Sequence, residues 1–263
     1  MKVITLLNQK GGVGKTTLTA HIGAGLANRG YRVLMVDTDP QGSLSWVFGI
    51  EPQPGVYNLI IRNETWDKLL TVPDQTIYRP EGVTGGLLAL LPGNVETRSI
   101  GESTNKLLAF RRRLAEIQAM FDYVLIDTSP TPSLLHGSIL MATDYVLYPV
   151  ELDAPSTAQG LVDSSATVTQ VQEIGLEYNL KVGRHLGIIP NKYQGNTVVA
   201  QTILAGLRDQ YGDAVWEPLR RSVTYVETGY EQRLLFAYSK GNGALAEMNL
   251  LVDRVVKETQ NAT

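Results

Sequence analysis

The sequence predicts an α/β fold with a mostly parallel, twisted sheet that is flanked by helices on both faces. Short runs of β-branched and other apolar residues alternate along the chain with longer segments of helical periodicity, which is typical of βαβ units. No internal repeat, low-complexity segment or long linker divides the chain. We therefore expect one domain over residues 1–263, a length that suits a large α/β domain.

The composition excludes several classes of site. The chain has 0 cysteines, so a disulfide, a thiolate zinc site and an iron–sulfur cluster are all excluded. No apolar run approaches the roughly 20 residues of a membrane span, and Met1 leads into a strand-like run rather than into a signal peptide. We therefore expect a cytoplasmic protein. Because the net charge is −3, any contact with nucleic acid must come from a local basic patch.

A glycine-rich turn separates the first predicted strand, residues 3–7, from a helix predicted over residues 15–28. In such a turn the glycines allow backbone N–H groups to point at anionic oxygens, and the helix N-terminus adds positive potential. Lys15 is expected on the β- and γ-phosphates of a nucleotide, and the Thr16 hydroxyl on Mg²⁺. The expected nucleotide-binding residues of the loop are Lys10, Gly11, Gly12, Val13, Gly14, Lys15, Thr16 and Thr17.

The loop departs from the usual G-x-x-x-x-G-K-[ST] pattern at its first position. Gln9 stands where that pattern has its first glycine, and Lys10 follows it. In this the chain resembles the ParA/MinD branch of P-loop ATPases, whose hallmark is an additional signature lysine. The resemblance implies a P-loop NTPase fold with ATP and Mg²⁺ as cofactors. It also implies a homodimer in which Lys10 reaches the phosphates bound by the partner subunit.

Asp37 and Asp39 follow the second predicted strand, residues 32–36, and precede a Pro-Gln-Gly turn. Ligands of α/β folds bind at the carboxyl ends of strands, although an acidic turn of this composition is also common elsewhere. The run resembles the family's switch-I motif, D-x-D-P-Q-G. The resemblance implies that Asp39 positions the attacking water and that Asp37 supports the Mg²⁺ site from its outer coordination shell.

The segment over residues 43–100 carries little chemistry that can be read from sequence. Its aromatic residues Trp46, Phe48, Tyr57 and Trp66 are interpreted as packing residues, and a strand within it ends at a Pro-Gly turn. We assign no catalytic or binding residue to this segment.

An acidic residue also ends the hydrophobic strand predicted over residues 121–127, which follows a helix predicted over 104–120. A strand with a terminal acid downstream of a phosphate-binding loop is the Walker B arrangement. Asp127 is therefore expected to hold Mg²⁺ opposite Thr16. The next predicted elements are strands over 144–150 and 185–190 and a helix over 157–173.

Asn191 stands directly after the last predicted strand. In relatives the residues at this point line the adenine ring, so the resemblance implies an adenine contact for Asn191; an ordinary strand-end asparagine is the alternative. Arg220 and Arg221 lie in a stretch that resembles the family's I-P-R-N-V motif. The resemblance implies that these arginines bind non-specific DNA, because a guanidinium grips phosphate without reading sequence. Two exposed arginines in salt bridges are the alternative.

The last helix, predicted over residues 242–257, has apolar residues at helical spacing and a polar face of mixed charge. A helix that lies on a membrane has Lys and Arg on its polar face and large aromatic residues on the other. This helix is therefore expected to pack against the sheet.

The family resemblance implies a partition or positioning ATPase with Lys10, Lys15 and Asp39 as its catalytic residues. Such a protein dimerises on ATP, binds non-specific DNA at the nucleoid without binding membrane, and releases the DNA on hydrolysis. Its slow turnover is stimulated by a ParB-like partner. The alternatives are a MinD-like membrane-positioning ATPase and a metabolic ligase similar to dethiobiotin synthetase. Lys10 argues against the ligase.

Overall fold

A parallel sheet of six strands forms the centre of the described part of the chain, which in this computed structural model comprises residues 1–102, 107–153, 157–238 and 243–261. The strands are β1 (Lys2–Leu6), β2 (Val33–Asp37), β3 (Leu88–Leu91), β4 (Tyr123–Asp127), β5 (Tyr145–Glu151) and β6 (Arg184–Asn191). They lie in the order β3-β2-β4-β1-β5-β6, and every pair of neighbours is parallel. The predicted α/β class is confirmed.

Helices connect these strands. The helices within the described ranges are α1 (Lys15–Asn28), α2 (Ser43–Val47), α3 (Val56–Ile60), α4 (Trp66–Leu69), α5 (Gln75–Tyr78), α6 (Ala109–Glu116), α7 (Leu134–Leu140), α8 (Thr157–Glu177), α9 (Val198–Tyr211), α10 (Thr224–Tyr230) and α11 (Gly243–Gln260), with 3₁₀ segments at Val95–Glu102 and Gly212–Ala214.

The helix predicted over 104–120 is shorter in the structure. Residues 103–106 lie outside the described part, and α6 ends at Glu116 because the chain turns before it enters β4.

The two faces of the sheet bury alternate residues of each strand, as the pleat of a strand requires. Ile4 and Met35 are fully buried on the face that α1 and α11 cover. Leu34 and Val124 are fully buried on the opposite face, in the cluster that includes residues of α3, α6 and α7. Helices on both faces leave the two ends of the strands as the places where a ligand can approach the sheet.

The carboxyl ends of the central strands bring the acidic motifs together. Asp37 of β2 lies in register with Asp127 of β4, and Leu6 of β1 lies in register with Asp127 on the other side. Because β1 is the neighbour of β4, the glycine-rich loop begins beside Asp127, and Asp37 lies one strand further along the sheet. The site is therefore assembled at this edge of the sheet.

An extended segment over residues 215–221 runs parallel to β6 and past its end. The Leu219 N–H donates to the Pro190 carbonyl at 2.8 Å, and the Arg221 N–H donates to the Tyr193 carbonyl at 3.0 Å. The two arginines at the end of this segment are thereby fixed beside the residues that follow β6.

The last helix, α11, packs on α1. Met248 and Val252 are fully buried, and a Cβ at Gly25 of α1 would lie 2.6 Å from a Val252 methyl carbon. Arg29 and Asp253 add an ion pair of 2.7 Å across the two helices. The prediction placed this helix against the sheet, which it also contacts: its Thr259 hydroxyl lies 3.2 Å from the Tyr123 hydroxyl of β4. A search of the described residues for a helix with the length and hydropathy of a membrane span finds none.

The aromatic residues of the segment over 43–100 differ in burial. Phe48 and Trp66 are buried and Tyr57 is partly buried against the core, as predicted. Trp46 is 58% exposed, so its interpretation as a packing residue is wrong. Leu44 of the short helix α2 and Phe48, directly after it, are four residues apart and share the inward face, which turns Trp46 outward.

Candidate nucleotide-binding site

The glycine-rich loop is held in conformations that require its glycines. Gly12 and Gly14 have φ values of 76° and 97°, in the left-handed region. A Cβ at Gly14 would lie 2.3 Å from the Asn191 side-chain nitrogen, so this position also needs a hydrogen in place of a side chain. The loop continues directly into α1, whose first N–H groups are unpaired within the helix and available to an anion.

The Lys15 amine lies inside the loop. It donates to the Asn8 carbonyl at 2.8 Å and to the Lys10 carbonyl at 3.2 Å. Burial lowers the pKa of Lys15, and the nearby charges of Asp127 and Asp39 act in the opposite direction. A buried ammonium that is bonded to two backbone carbonyls of the loop is placed to bind the oxygens of an anion that enters the loop.

Thr16 and Asp127 form the centre expected for Mg²⁺. The Thr16 hydroxyl donates to Asp127 Oδ2 at 2.6 Å. Asp127 is fully buried, and its Oδ1 has no hydrogen-bond partner in the described structure. Burial raises the pKa of Asp127 to about 8, and the charge of Asp37 contributes in the same direction. A hydroxyl beside an unsatisfied buried carboxylate oxygen fits a hard divalent cation, which would lower that pKa.

Asp37 is engaged with the loop that follows it. Its Oδ2 accepts the N–H and the hydroxyl of Ser45, each at 2.9 Å, and its Oδ1 accepts the Asp39 N–H at 3.2 Å. Burial raises the pKa of Asp37 to about 6. Three donors therefore occupy this carboxylate, which suits the predicted supporting position behind Asp127. That assignment stays a prediction.

Asp39 is only partly buried, at the mouth of the site. Its Oδ1 accepts the Gln41 N–H at 2.9 Å. It lines a cleft of about 490 Å³ together with Ser129, Arg98 and His136. A partly exposed carboxylate in a cleft of this size has room for a water molecule, and its predicted role in positioning that water stays a prediction.

Lys10 lies on the surface of the same loop. Its backbone N–H donates to Asn8 Oδ1 at 2.8 Å, and its amine pairs with Asp153 beyond the end of β5 at 2.9 Å. The Lys10 side chain is 28% exposed. Whether this amine reaches a partner's phosphate is a property of an assembly, so this role also stays a prediction.

Asn191 contacts the phosphate loop as well as the space beside it. Its Nδ2 donates to the Val13 carbonyl at 2.8 Å, and its Oδ1 accepts the Lys192 N–H at 2.9 Å. It also lines a pocket of about 220 Å³ next to Gly14 and Thr17. The predicted adenine contact is compatible with this pocket and stays a prediction.

Arg220 and Arg221 line the outer wall of the same pocket. The Arg220 guanidinium is paired with Glu247 of α11, which is the salt-bridge alternative for this residue. Arg221 is exposed, and its guanidinium forms no ion pair with the described residues. Both side chains are accessible, and DNA binding by them stays a prediction.

Several residues of the site were missed at the level of sequence. Asn8 accepts from Lys15 and Lys10 and also donates to the Pro149 carbonyl at 2.8 Å. The feature of the sequence that could have indicated Asn8 is its position between the first strand and the glycine-rich loop. His21 of α1 is also buried; it bonds the Thr17 carbonyl at 2.7 Å, and burial lowers its pKa to about 4.

Comparison with known proteins identifies the family. The model of an AAA domain family, AAA_31, matches residues 1–182. The chromosome-partitioning ATPase Soj of Thermus thermophilus is 31% identical over 98% of this chain and 97% of its own length. The chain belongs to the ParA-type P-loop ATPases. The predicted family, which rested on Gln9 and Lys10, is thereby confirmed.

Solved structures share the fold of this chain. Cobyrinic acid a,c-diamide synthase from Mycobacterium smegmatis, solved with an ATP analogue and magnesium, is 26% identical, with a TM-score of 0.78 and coverage of 100% of this chain and 97% of that one. A plasmid partition protein from Borrelia burgdorferi shares the fold, with a TM-score of 0.75, 19% identity and coverage of 98% and 99%. ATP and Mg²⁺ are the cofactors of this ParA-type ATPase, as predicted.

Proposed function

We propose that this ParA-type ATPase, folded as one domain over residues 1–263, partitions or positions a cargo by switching between two nucleotide states. In the ATP state it forms a homodimer that binds non-specific DNA of the nucleoid in the cytoplasm. Hydrolysis, slow alone and stimulated by a ParB-like partner, releases the dimer and the DNA. The observation that carries this proposal is the second lysine of the loop, Lys10, at the surface of a site that already contains Lys15.

The contacts of Lys10 support an exchange of partners. Its ion pair with Asp153 is solvent-exposed at both ends, and such a pair contributes at most about 1 kcal/mol. A phosphate group carries more negative charge than a carboxylate and accepts stronger hydrogen bonds from an ammonium. The amine of Lys10 is therefore free, in energetic terms, to leave Asp153 for the phosphates held by a second subunit.

The remaining chemistry belongs to the residues of one subunit. ATP supplies the transferable γ-phosphoryl group and Mg²⁺ neutralises its charge, so the protein contributes positioning and electrostatic stabilisation. Lys15 binds phosphate oxygens from inside the loop, and Thr16 and Asp127 hold the cation. Asp39 orients the attacking water from the cleft that it lines with Ser129.

We predict that Lys10→Ala abolishes ATP-dependent dimerisation. The ATP affinity of the monomer should change less than about fivefold, because the substitution removes only an exposed ion pair from the subunit itself. Sedimentation velocity with ATP and with ADP measures dimerisation, and a fluorescent nucleotide measures affinity. Lys181→Ala, which removes an exposed lysine after α8, is the matched control. ATP-bound dimers that persist in Lys10→Ala would refute the shared-site proposal.

We predict that binding to non-specific DNA requires ATP and weakens steeply with salt, because phosphate contacts release counterions. Arg221→Ala should lower the slope of log K against log salt by about 1 for each phosphate that its guanidinium binds. The matched control is Arg112→Ala, which removes an exposed arginine of α6. A salt titration with ATP, ADP and no nucleotide provides the measurement. Equal DNA binding in all three states would contradict the switch.

The membrane-positioning alternative makes a different demand on α11. A membrane anchor has to present its apolar face, whereas Met248, Val252 and Val255 of α11 are fully buried in the described structure. This burial favours the DNA-based proposal. Flotation of the protein with anionic liposomes in the presence of ATP distinguishes the two, since the proposed protein should remain unbound.

A further inference from the structure

Asn191, the last residue of β6, and Lys192, which follows it, bond two consecutive carbonyls of the phosphate loop. The Asn191 side-chain nitrogen donates to the Val13 carbonyl at 2.8 Å, and the Lys192 amine donates to the Gly12 carbonyl at 2.6 Å. About 180 residues of chain separate the two sides of these contacts. These two side-chain contacts join the end of β6 to the loop. The roles proposed above for the site residues give no reason for the contact from Lys192.

The geometry of the peptide bond gives these contacts a consequence for phosphate binding. In a planar trans peptide, the C=O of one residue and the N–H of the next point in opposite directions. A donor that holds the Gly12 carbonyl therefore also fixes the direction of the Val13 N–H, and a donor on the Val13 carbonyl fixes that of the Gly14 N–H. Because both carbonyls are turned toward the end of β6, both N–H groups are turned away from it.

The backbone of Lys192 is strained in a way that a packing role does not explain. Its φ is 53°, in the left-handed region, which is unfavourable for a residue with a Cβ. The side chain is 38% exposed, so burial of apolar surface does not repay this cost. The amine instead makes an ion pair of 3.1 Å with Glu151 at the end of β5, which lies in register with Asn191. Strain that is retained in this way is concentrated at functional sites.

We propose that Asn191 and Lys192 are positioning residues that orient the N–H groups of Val13 and Gly14 toward the phosphates of ATP. The proposal rests on the proposed ATPase function of this site and adds residues that the phosphate-binding motif itself does not contain. Lys192 acts through the loop backbone, and Glu151 holds its amine in place. The glycines allow the loop backbone many conformations, and the hydrogen bonds from Asn191 and Lys192 stabilise one of them.

The test separates this role from a structural one by using the strain at Lys192. Lys192→Gly removes the amine but suits a left-handed φ, so the melting temperature should stay the same or rise. Its affinity for ATP and ADP should nevertheless fall about tenfold, because the loop N–H groups are no longer aimed at phosphate. The affinity for adenosine, which has no phosphate, should be unchanged. Calorimetric titration of the three ligands and thermal denaturation of the intact chain give these values.

Two further variants and one control complete the design. Lys192→Met keeps the backbone strain and removes the donor, so it should lose ATP affinity to the same extent, whereas Lys192→Arg keeps a donor and should retain it. Asn179→Gly relieves a second left-handed residue, with φ 56°, after α8 and should leave all nucleotide affinities unchanged. Wild-type ATP affinity in both Lys192→Gly and Lys192→Met, or an equal loss for adenosine, would overturn the positioning role. Normal ATP binding by the wild-type chain without any binding to DNA would overturn the partition proposal alone.

Discussion

Gly14→Ala should abolish nucleotide binding, with a loss of ATP affinity of at least about 100-fold, the equivalent of two hydrogen bonds to a charged group. The new Cβ would lie 2.3 Å from the Asn191 side-chain nitrogen, and the φ of 97° disfavours any L side chain. Asn191 then has to move, and it releases the Val13 carbonyl that it holds. Calorimetric titration with ATP and Mg²⁺ measures the loss directly.

Alanine substitutions at the neighbouring glycines separate the clash with Asn191 from the positive φ as causes of lost stability. A Cβ at Gly12 would meet nothing within 4 Å, but the φ of Gly12 is 76°. Gly12→Ala should therefore lower the free energy of unfolding by only about 1–2 kcal/mol, through left-handed strain. Gly11 has neither a close neighbour nor a positive φ, so Gly11→Ala should leave the free energy of unfolding nearly unchanged. Gly14→Ala should lose a further 1–3 kcal/mol, roughly, from overpacking. Equal stability of Gly12→Ala and Gly14→Ala would contradict the assigned contact with Asn191.

The parts of the site that are predictable from sequence are those that lie within a short stretch of chain. The loop over residues 10–17 contains its own glycines, lysines and hydroxyls, and their spacing alone predicts a phosphate site. The acids Asp37 and Asp127 are predictable for a second reason, since strands of a parallel sheet end at one edge. The structure pairs these two residues in register.

The contacts that escape prediction join distant stretches of chain. Nothing in the local sequence indicates that Lys192 bonds Gly12 or that Arg220 pairs with Glu247, because both depend on how the segment after β6 lies against its neighbours. The exposure of Trp46 escapes prediction for a related reason. A helix of five residues has too few positions for its apolar spacing to define which face is inward.

The carboxylate of Asp127 is expected to contribute to function at the expense of stability, and Asp127→Asn should reveal both effects. At neutral pH the folded protein buries this carboxyl group beside Asp37, with Oδ1 unpartnered, and the raised pKa reflects the resulting free-energy penalty. An amide of the same shape is neutral and still accepts from the Thr16 hydroxyl. Without Mg²⁺, the variant should therefore be more stable than the wild type at neutral pH by about 1–3 kcal/mol, because a neutral amide does not bear the free-energy cost of keeping a carboxyl group in this buried site beside Asp37.

The same substitution should remove catalysis, because the amide lacks the charge that holds Mg²⁺ opposite Thr16. We expect ATP hydrolysis to fall by at least about 100-fold, the effect typical of losing one electrostatic interaction in an active site. Urea denaturation in EDTA measures the stability, and phosphate release with saturating Mg²⁺ measures the turnover. Asp122→Asn, which alters a surface carboxylate paired with Arg32 at the start of the same strand, should leave turnover unchanged. An Asp127 variant that hydrolyses ATP normally would contradict the assignment of this carboxylate as the metal-holding group. A variant that is less stable than the wild type in EDTA would contradict the free-energy penalty inferred from the burial of this carboxyl group.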